Sequence, residues 1–206
     1  MEYVLHSHRH AETLLRQPEN ADIFNELLTA IKSISDSDIS EHFENLNRAG
    51  KKSISQSINA LIREKLGPSW NPEAPIFQDD EYEGETWRLD FAKGPISVEV
   101  AFNHGGDIAW NLLKPVLASE LNHVKKKIQT KIGVIICATS HLKKRGGFDS
   151  AIGDYEKFLR YLKPLQNVLT TPILFIGLEP PVSFKLDPKN NKGVIIYEPD
   201  SPKGAQ

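Results

Sequence analysis

"LDFAKGPISVEVAFN", residues 89–103, decides how the rest of the chain is read. From Trp87 the apolar period is two: Trp87, Leu89 and Phe91 alternate with Arg88, Asp90 and Ala92. After the turn "KGP" (93–95), Ile96, Val98, Val100 and Phe102 alternate with Ser97, Glu99, Ala101 and Asn103. The alternation predicts a β-hairpin with Asp90 and Glu99 opposite or diagonal to one another on one face. Carboxylates so placed repel unless a cation lies between them. Arg88 could neutralise either acid on a half-exposed hairpin. Alternatively, Asp90, Glu99 and a main-chain carbonyl near Val100 offer the hard oxygen ligands that suit Mg²⁺, which activates water and steadies charge on a phosphoryl group.

Working outward, residues 8–34 carry Leu14, Leu15, Ile23, Leu27, Leu28 and Ile31 at helical spacing, interrupted by Pro18 and Asn20, and predict two short helices. "SISQSINALIREKLG" continues the helical period and stops at Gly67-Pro68. "SWNPEAPIFQDDEYEGE" reads as a proline-rich acidic connection. Beyond the hairpin, "HGGD" opens a helical stretch over 108–127, with Pro115 as a kink or a new first turn, and Asp107 as a candidate N-cap. "KIGVIICAT" and "PILFIGLEP" are apolar enough for strands covered on both faces, "SHLKKRGGFDS" reads as a basic loop, "AIGDYEKFLRYLKPL" as a helix and "GVIIYEP" as an edge strand. The expected architecture is one α/β domain over 1–206: a mainly helical part at 1–67, then a core at 85–198 with a mixed central sheet flanked by helices on both faces. It contains no internal repeat, zinc-ligand spacing, P-loop or GxGxxG.

At 206 residues and 39% hydrophobic content, the chain can bury a real core. The only cysteine, Cys137, lies in an apolar run, which argues against a disulfide framework and for an inert buried thiol in a reducing, cytoplasmic compartment. "MEYVLHSHRH" lacks the features of an export signal, and no stretch approaches the ~20 apolar residues of a membrane span. The net charge of −2 conceals basic patches at 51–52, "VKKKIQTK" and "HLKKRGG" beside the acidic "FQDDEYEGE". These are either solvated faces or an electrostatic footprint for a polyanion. The "HSHRH" histidines have no partner at a recognised metal spacing.

An acid near the end of one strand, followed on the next by glutamate, any residue and a lysine-like position, is the PD-(D/E)XK nuclease pattern. More specifically, "LDFAKGPISVEVAFN" resembles the active-site hairpin of the BglII and BstYI type II restriction endonucleases, including the nine-residue gap and the "EV-x-F" ending. The similarity extends through "RHAETLL", "NALIREKLGPSW", "SELNHVKK", "IGVIICAT" and "PILFIGLEP". It implies a restriction-endonuclease-like fold in which Asp90 and Glu99 bind catalytic Mg²⁺. It also implies cleavage of double-stranded DNA by a symmetric homodimer, through in-line attack of a metal-activated water that leaves 5′-phosphate and 3′-hydroxyl ends. Relatives read palindromes centred on GATC, and a cognate DNA methyltransferase is expected in the same system.

The third motif position departs from the pattern, because Ala101 stands where the superfamily has lysine and close relatives have glutamine. A methyl group can neither orient nor deprotonate a water. Asn103 or His104 could take over the role, the metal could suffice, or the protein could bind DNA without cutting it; Lys93, in the turn, is less suitable. Asn71 or Glu73 could join the metal, and Glu120 could stand behind the site; each is equally readable as an ordinary surface residue. Loops 103–107 and 143–150 are expected to meet DNA, with Asn103, His104, Asp149 and Ser150 reading base edges and Lys143, Lys144 and Arg145 holding phosphates. A structure-specific repair nuclease is a further alternative.

Overall fold

Six strands make the central sheet: β1 (Tyr3–His8), β2 (Asn71–Pro75), β3 (Arg88–Lys93), β4 (Ile96–Val100), β5 (Ile132–Ala138) and β6 (Ile173–Leu178). They lie in the order β1-β6-β5-β4-β3-β2, parallel across β4, β5 and β6 and antiparallel elsewhere. The computed structural model describes residues 1–47, 50, 52–121, 123–187 and 193–199. Its mixed sheet, covered by helices on both sides, is the architecture expected from the sequence.

One face is covered by α1 (Ala11–Leu15), α2 (Pro18–Lys32), α3 (Asp36–Asn47) and α4 (Ser55–Leu66), whose Leu15, Phe24, Ile31, Ile58 and Ile62 pack with Ile96, Val98, Ile136 and Ile176 of the sheet. Pro18 opens α2 at its first turn, where its missing N–H leaves no bond unmade. Gly67, at φ 66°, ends α4. The other face carries α5 (Ile108–Ser119), α6 (Ser140–Arg145) follows β5, and α7 (Tyr155–Leu165) begins at Asp154, whose side chain accepts the Lys157 amide. Ile108 and Leu112 of α5 and Phe158 and Leu162 of α7 meet Ala101, Ile135, Cys137 and Phe175 there. Cys137 is a free, fully buried thiol whose pKa burial pushes up, as its apolar run suggested.

Several elements differ from the sequence reading. The "HSHRH" segment begins in a strand, because β1 pairs with β6 and closes that edge of the sheet. His8 and Arg9 both bond the Leu169 carbonyl, and among the described residues no group of three or more His, Cys, Asp or Glu could hold a metal ion. Residues 71–75 form an edge strand on β3, where Pro72 and Pro75 are tolerated. Helix α5 stops at Ser119 rather than 127 and continues through Pro115. Asn122 of "SELNH", Lys51 of the 51–52 pair and the C-terminal residues 200–206 lie outside the described residues. Residues 140–145 are helical because Thr139 caps them through the Leu142 amide. The strand at 195–197, β8, pairs with β7 (Phe184–Leu186) in a separate two-stranded sheet instead of edging the central one.

Helix α5 approaches the sheet over small residues. A Cβ built on Gly133 would lie 2.5 Å from Pro115 Cβ, so only glycine permits this packing. Gly133→Ala is therefore expected to lower stability by about 1–3 kcal/mol, measured by thermal unfolding.

Candidate active site

Gly94, at φ 52°, supplies the positive-φ position of a two-residue turn and Pro95 completes it, with Lys93 paired to Ile96. The register places Phe91 opposite Val98, so Asp90, one step further, faces Glu99. On the other side Pro72 pairs with Phe91 and Ala74 with Leu89, which brings Glu73 level with Asp90. Three acids thus form a row across β2, β3 and β4. Glu73 is exposed, adopts φ 48°, and is held by Arg63 at 2.7 Å.

Asp90 and Glu99 differ in their bonding. The Val100 amide donates to Asp90 Oδ2 at 2.6 Å. Lys114 Nζ donates to Glu99 Oε2 at 2.8 Å, with the two side chains only 12% and 2% exposed. Arg88, the neutralising partner suggested by spacing, instead lines a hollow with Phe77, Tyr82 and Lys127. Glu99 Oε1 is buried with no hydrogen-bond partner. Such an atom normally finds one, so the donor set fits a cation coming from that side.

Electrostatics agree. Burial first, and then the Asp90 charge, push the Glu99 carboxyl up to about 8, against the opposing pull of Lys114. Asp90 is also raised, by burial, although the Val100 amide and Lys114 oppose it. A buried and a half-buried acid, both with raised pKa values, on one face are a common signature of a functional site. The Val100 carbonyl, the third ligand suggested by the sequence, accepts the Phe102 amide at 3.2 Å and keeps a second lone pair.

The remaining candidates separate by position. Ala101 is 2% exposed and packs with Ile108 and Leu112 under α5. Asn103 accepts from Asn111 Nδ2 at 3.1 Å, and His104 Nδ1 accepts the Gly106 amide at 3.0 Å; His104, not Asp107, supplies the cap in this turn. Lys93 is bonded to Glu26 and Ser69. Asn71 is exposed at the start of β2. Glu120 accepts the Thr170 hydroxyl, just before β6, toward the opposite ends of the parallel strands from Glu99.

The two nominated DNA-facing loops touch each other. Gly105 N donates to the Ala151 carbonyl at 2.7 Å, His104 bridges Ile152, and the Phe102 and Phe148 rings meet edge-on at 5.5 Å. Lys143 is tied to Asp154 and the Ile152 carbonyl, and Arg145 to Glu198 and the Phe184 carbonyl. Lys144 is exposed and lines an open hollow of about 510 Å³ with Lys52, Phe148 and Ser150. Asp149 turns back on the Ala151 amide, while Ser150 is exposed.

Sequence reasoning missed Lys114 and Arg63. A lone charge inside the apolar "IAWNLLKPVLA" was the available signal for Lys114; nothing local distinguished Arg63.

A family model described as "Restriction endonuclease BglII/BglIII" matches residues 3–178. The fold is similar to that of restriction endonuclease BglII complexed with a DNA 16-mer, with a TM-score of 0.67 and 18% identity over 96% of this chain and 100% of that one. Free BglII gives a TM-score of 0.52 and 21% identity over 86% of this chain and 79% of that one. No curated protein matches at a significant level. The family match spans most of the chain, so the protein belongs to the BglII/BglIII restriction endonuclease family.

Proposed function

We propose that the protein is a Mg²⁺-dependent type II restriction endonuclease that cuts double-stranded DNA, as a homodimer, at a short palindrome centred on GATC. The observation that carries this reading is the facing pair Asp90 and Glu99, one with a buried oxygen lacking any partner. Asp90, Glu99 and the Val100 carbonyl would hold a divalent ion, which would supply Lewis-acid stabilisation of phosphoryl charge and a more acidic water. The chain's own part is to hold the acids in fixed register, exclude bulk water from Glu99 and leave Oε1 open on the side away from Lys114. Water oxygen bonds to phosphorus as the P–O3′ bond breaks, giving 5′-phosphate and 3′-hydroxyl ends. Each subunit cuts one strand, because a two-fold protein on a palindrome presents the same site to both. A DNA methyltransferase of matching specificity protects the host sites.

Asn103, His104, Asp149 and Ser150 lie on the adjoining loops from which base edges are read, and Lys144, the exposed one of the three bases 143–145, holds phosphate. Lys143 and Arg145, engaged internally, shape this surface. Lys144→Ala should weaken binding to all duplexes and reduce the slope of log K against log salt by about 1 for each subunit's phosphate neutralised by this lysine; an unchanged slope would remove Lys144 from the interface.

The test is incubation of unmethylated plasmid with the protein and Mg²⁺, with EDTA and Glu99→Ala controls, followed by sequencing of fragment ends. Ends sharing one palindrome, absent from both controls, are expected. Ends without a common sequence indicate a structure-specific nuclease, and uncut but bound plasmid indicates a silent DNA-binding protein.

A further inference from the structure

We infer that Lys114, on α5, supplies the cationic group that the nuclease pattern places two residues after its glutamate, where this chain has Ala101. The inference rests on the nuclease reading above and names how the missing side chain is replaced.

Ala101 is closed off as well as chemically empty. It is 2% exposed and belongs to the buried cluster that includes Ile108 and Leu112 of α5, so a long side chain there would have to displace the packing under the helix. The same helix brings in the charge. Pro115 rests on Gly133, which pairs with Ser97, two residues before Glu99 on β4. Asn111 is bonded to Asn103 just beyond the strand. Fixed at both points, α5 presents Lys114 between them, with Nζ on Glu99 Oε2 at 2.8 Å.

The other replacements suggested by sequence are engaged elsewhere: Asn103 with Asn111, His104 with the Gly106 amide, and Lys93 with Glu26 and Ser69. An ammonium has three donors, and among the described residues Glu99 is the only hydrogen-bond partner of Lys114 Nζ. Two donors remain for the attacking water and a non-bridging phosphoryl oxygen. Lys114 binds Oε2 and leaves Oε1 open, so the ammonium and a metal ion can use the same carboxylate from different sides. Its role is to hold the water and oppose charge on the phosphoryl group, with no proton transfer required.

The experiment compares wild type, Lys114→Met, Lys114→Arg and Glu99→Gln. It measures single-turnover cleavage at saturating Mg²⁺, duplex affinity in Ca²⁺ and in EDTA, and thermal unfolding. Lys114→Met keeps the aliphatic stem and is expected to lose about 100-fold or more in rate, with duplex affinity within about 3-fold of wild type; Lys114→Arg, retaining the charge, should recover part of the rate. If Lys114 is only a structural counter-ion, Lys114→Met lowers the unfolding temperature but cuts at the wild-type rate while folded, which overturns the inference and leaves the nuclease reading intact. A wild type that binds but never cuts overturns both.

Discussion

Glu99→Gln is expected to abolish cleavage, by about a thousand-fold or more, since several kcal/mol of transition-state stabilisation pass through this carboxylate. Glutamine keeps the size and one carbonyl oxygen but loses the negative charge through which Glu99 is proposed to bind a divalent ion. Lys114, only 12% exposed, already faces a largely neutral carboxyl near pH 7, so the fold is expected to tolerate the change. Duplex affinity in EDTA checks this. A folded variant that binds normally and fails to cut locates the defect in the chemistry, whereas one that cuts at more than about a tenth of the wild-type rate removes Glu99 from it.

The second large effect is a pH-dependent stability that metal alters. Glu99 has its folded pKa raised to about 8 from 4.5, chiefly by burial, so between these values the folded state binds more protons than the unfolded one. Its contribution is fully present below about pH 4.5 and is lost as pH rises toward 8. Asp90 acts in the same direction from a lower starting point. The metal-free protein should therefore lose on the order of a few kcal/mol between pH 5 and 8.5, read as a falling unfolding temperature. Glu99→Gln should flatten that slope. Mg²⁺ should oppose it, because an ion at the proposed site would bind the ionised carboxylates of the folded state and displace protons. A wild-type slope unaffected by either change would mean that Glu99 ionises freely.

The hairpin was legible because period-two alternation and a Gly-Pro turn are local signals, while the choice between opposite and diagonal acids came with the Lys93–Ile96 pairing. The apolar strands β5 and β6 were legible from composition alone, since burial on both faces leaves no polar positions. Other features depended on partners distant in sequence. β1 is a strand because β6 offers it an edge, and β2 because β3 does; neither "EYVLHSH" nor "NPEAP" announces this by itself. The end of α5 at Ser119 was hidden by helical spacing that runs on past it. In the site, Asp90 and Glu99 could be found by pattern, while Lys114 became visible only when Gly133 and Pro115 set the height of the helix over the sheet. Arg63, reaching Glu73 from α4, is the same kind of tertiary neighbour. In the basic segment 143–145, composition treated three cations alike, and tertiary contacts separate Lys144 from the two that are tied inward.

The account turns on the hairpin acids holding a divalent ion, and the most direct measurement is an anomalous difference map from crystals of the protein with duplex DNA and Mn²⁺. The account predicts a peak bounded by Asp90, the Val100 carbonyl and Glu99 Oε1, with Lys114 remaining on Oε2. Bound duplex with no metal peak between Asp90 and Glu99, or with Lys114 Nζ occupying that place, would contradict it.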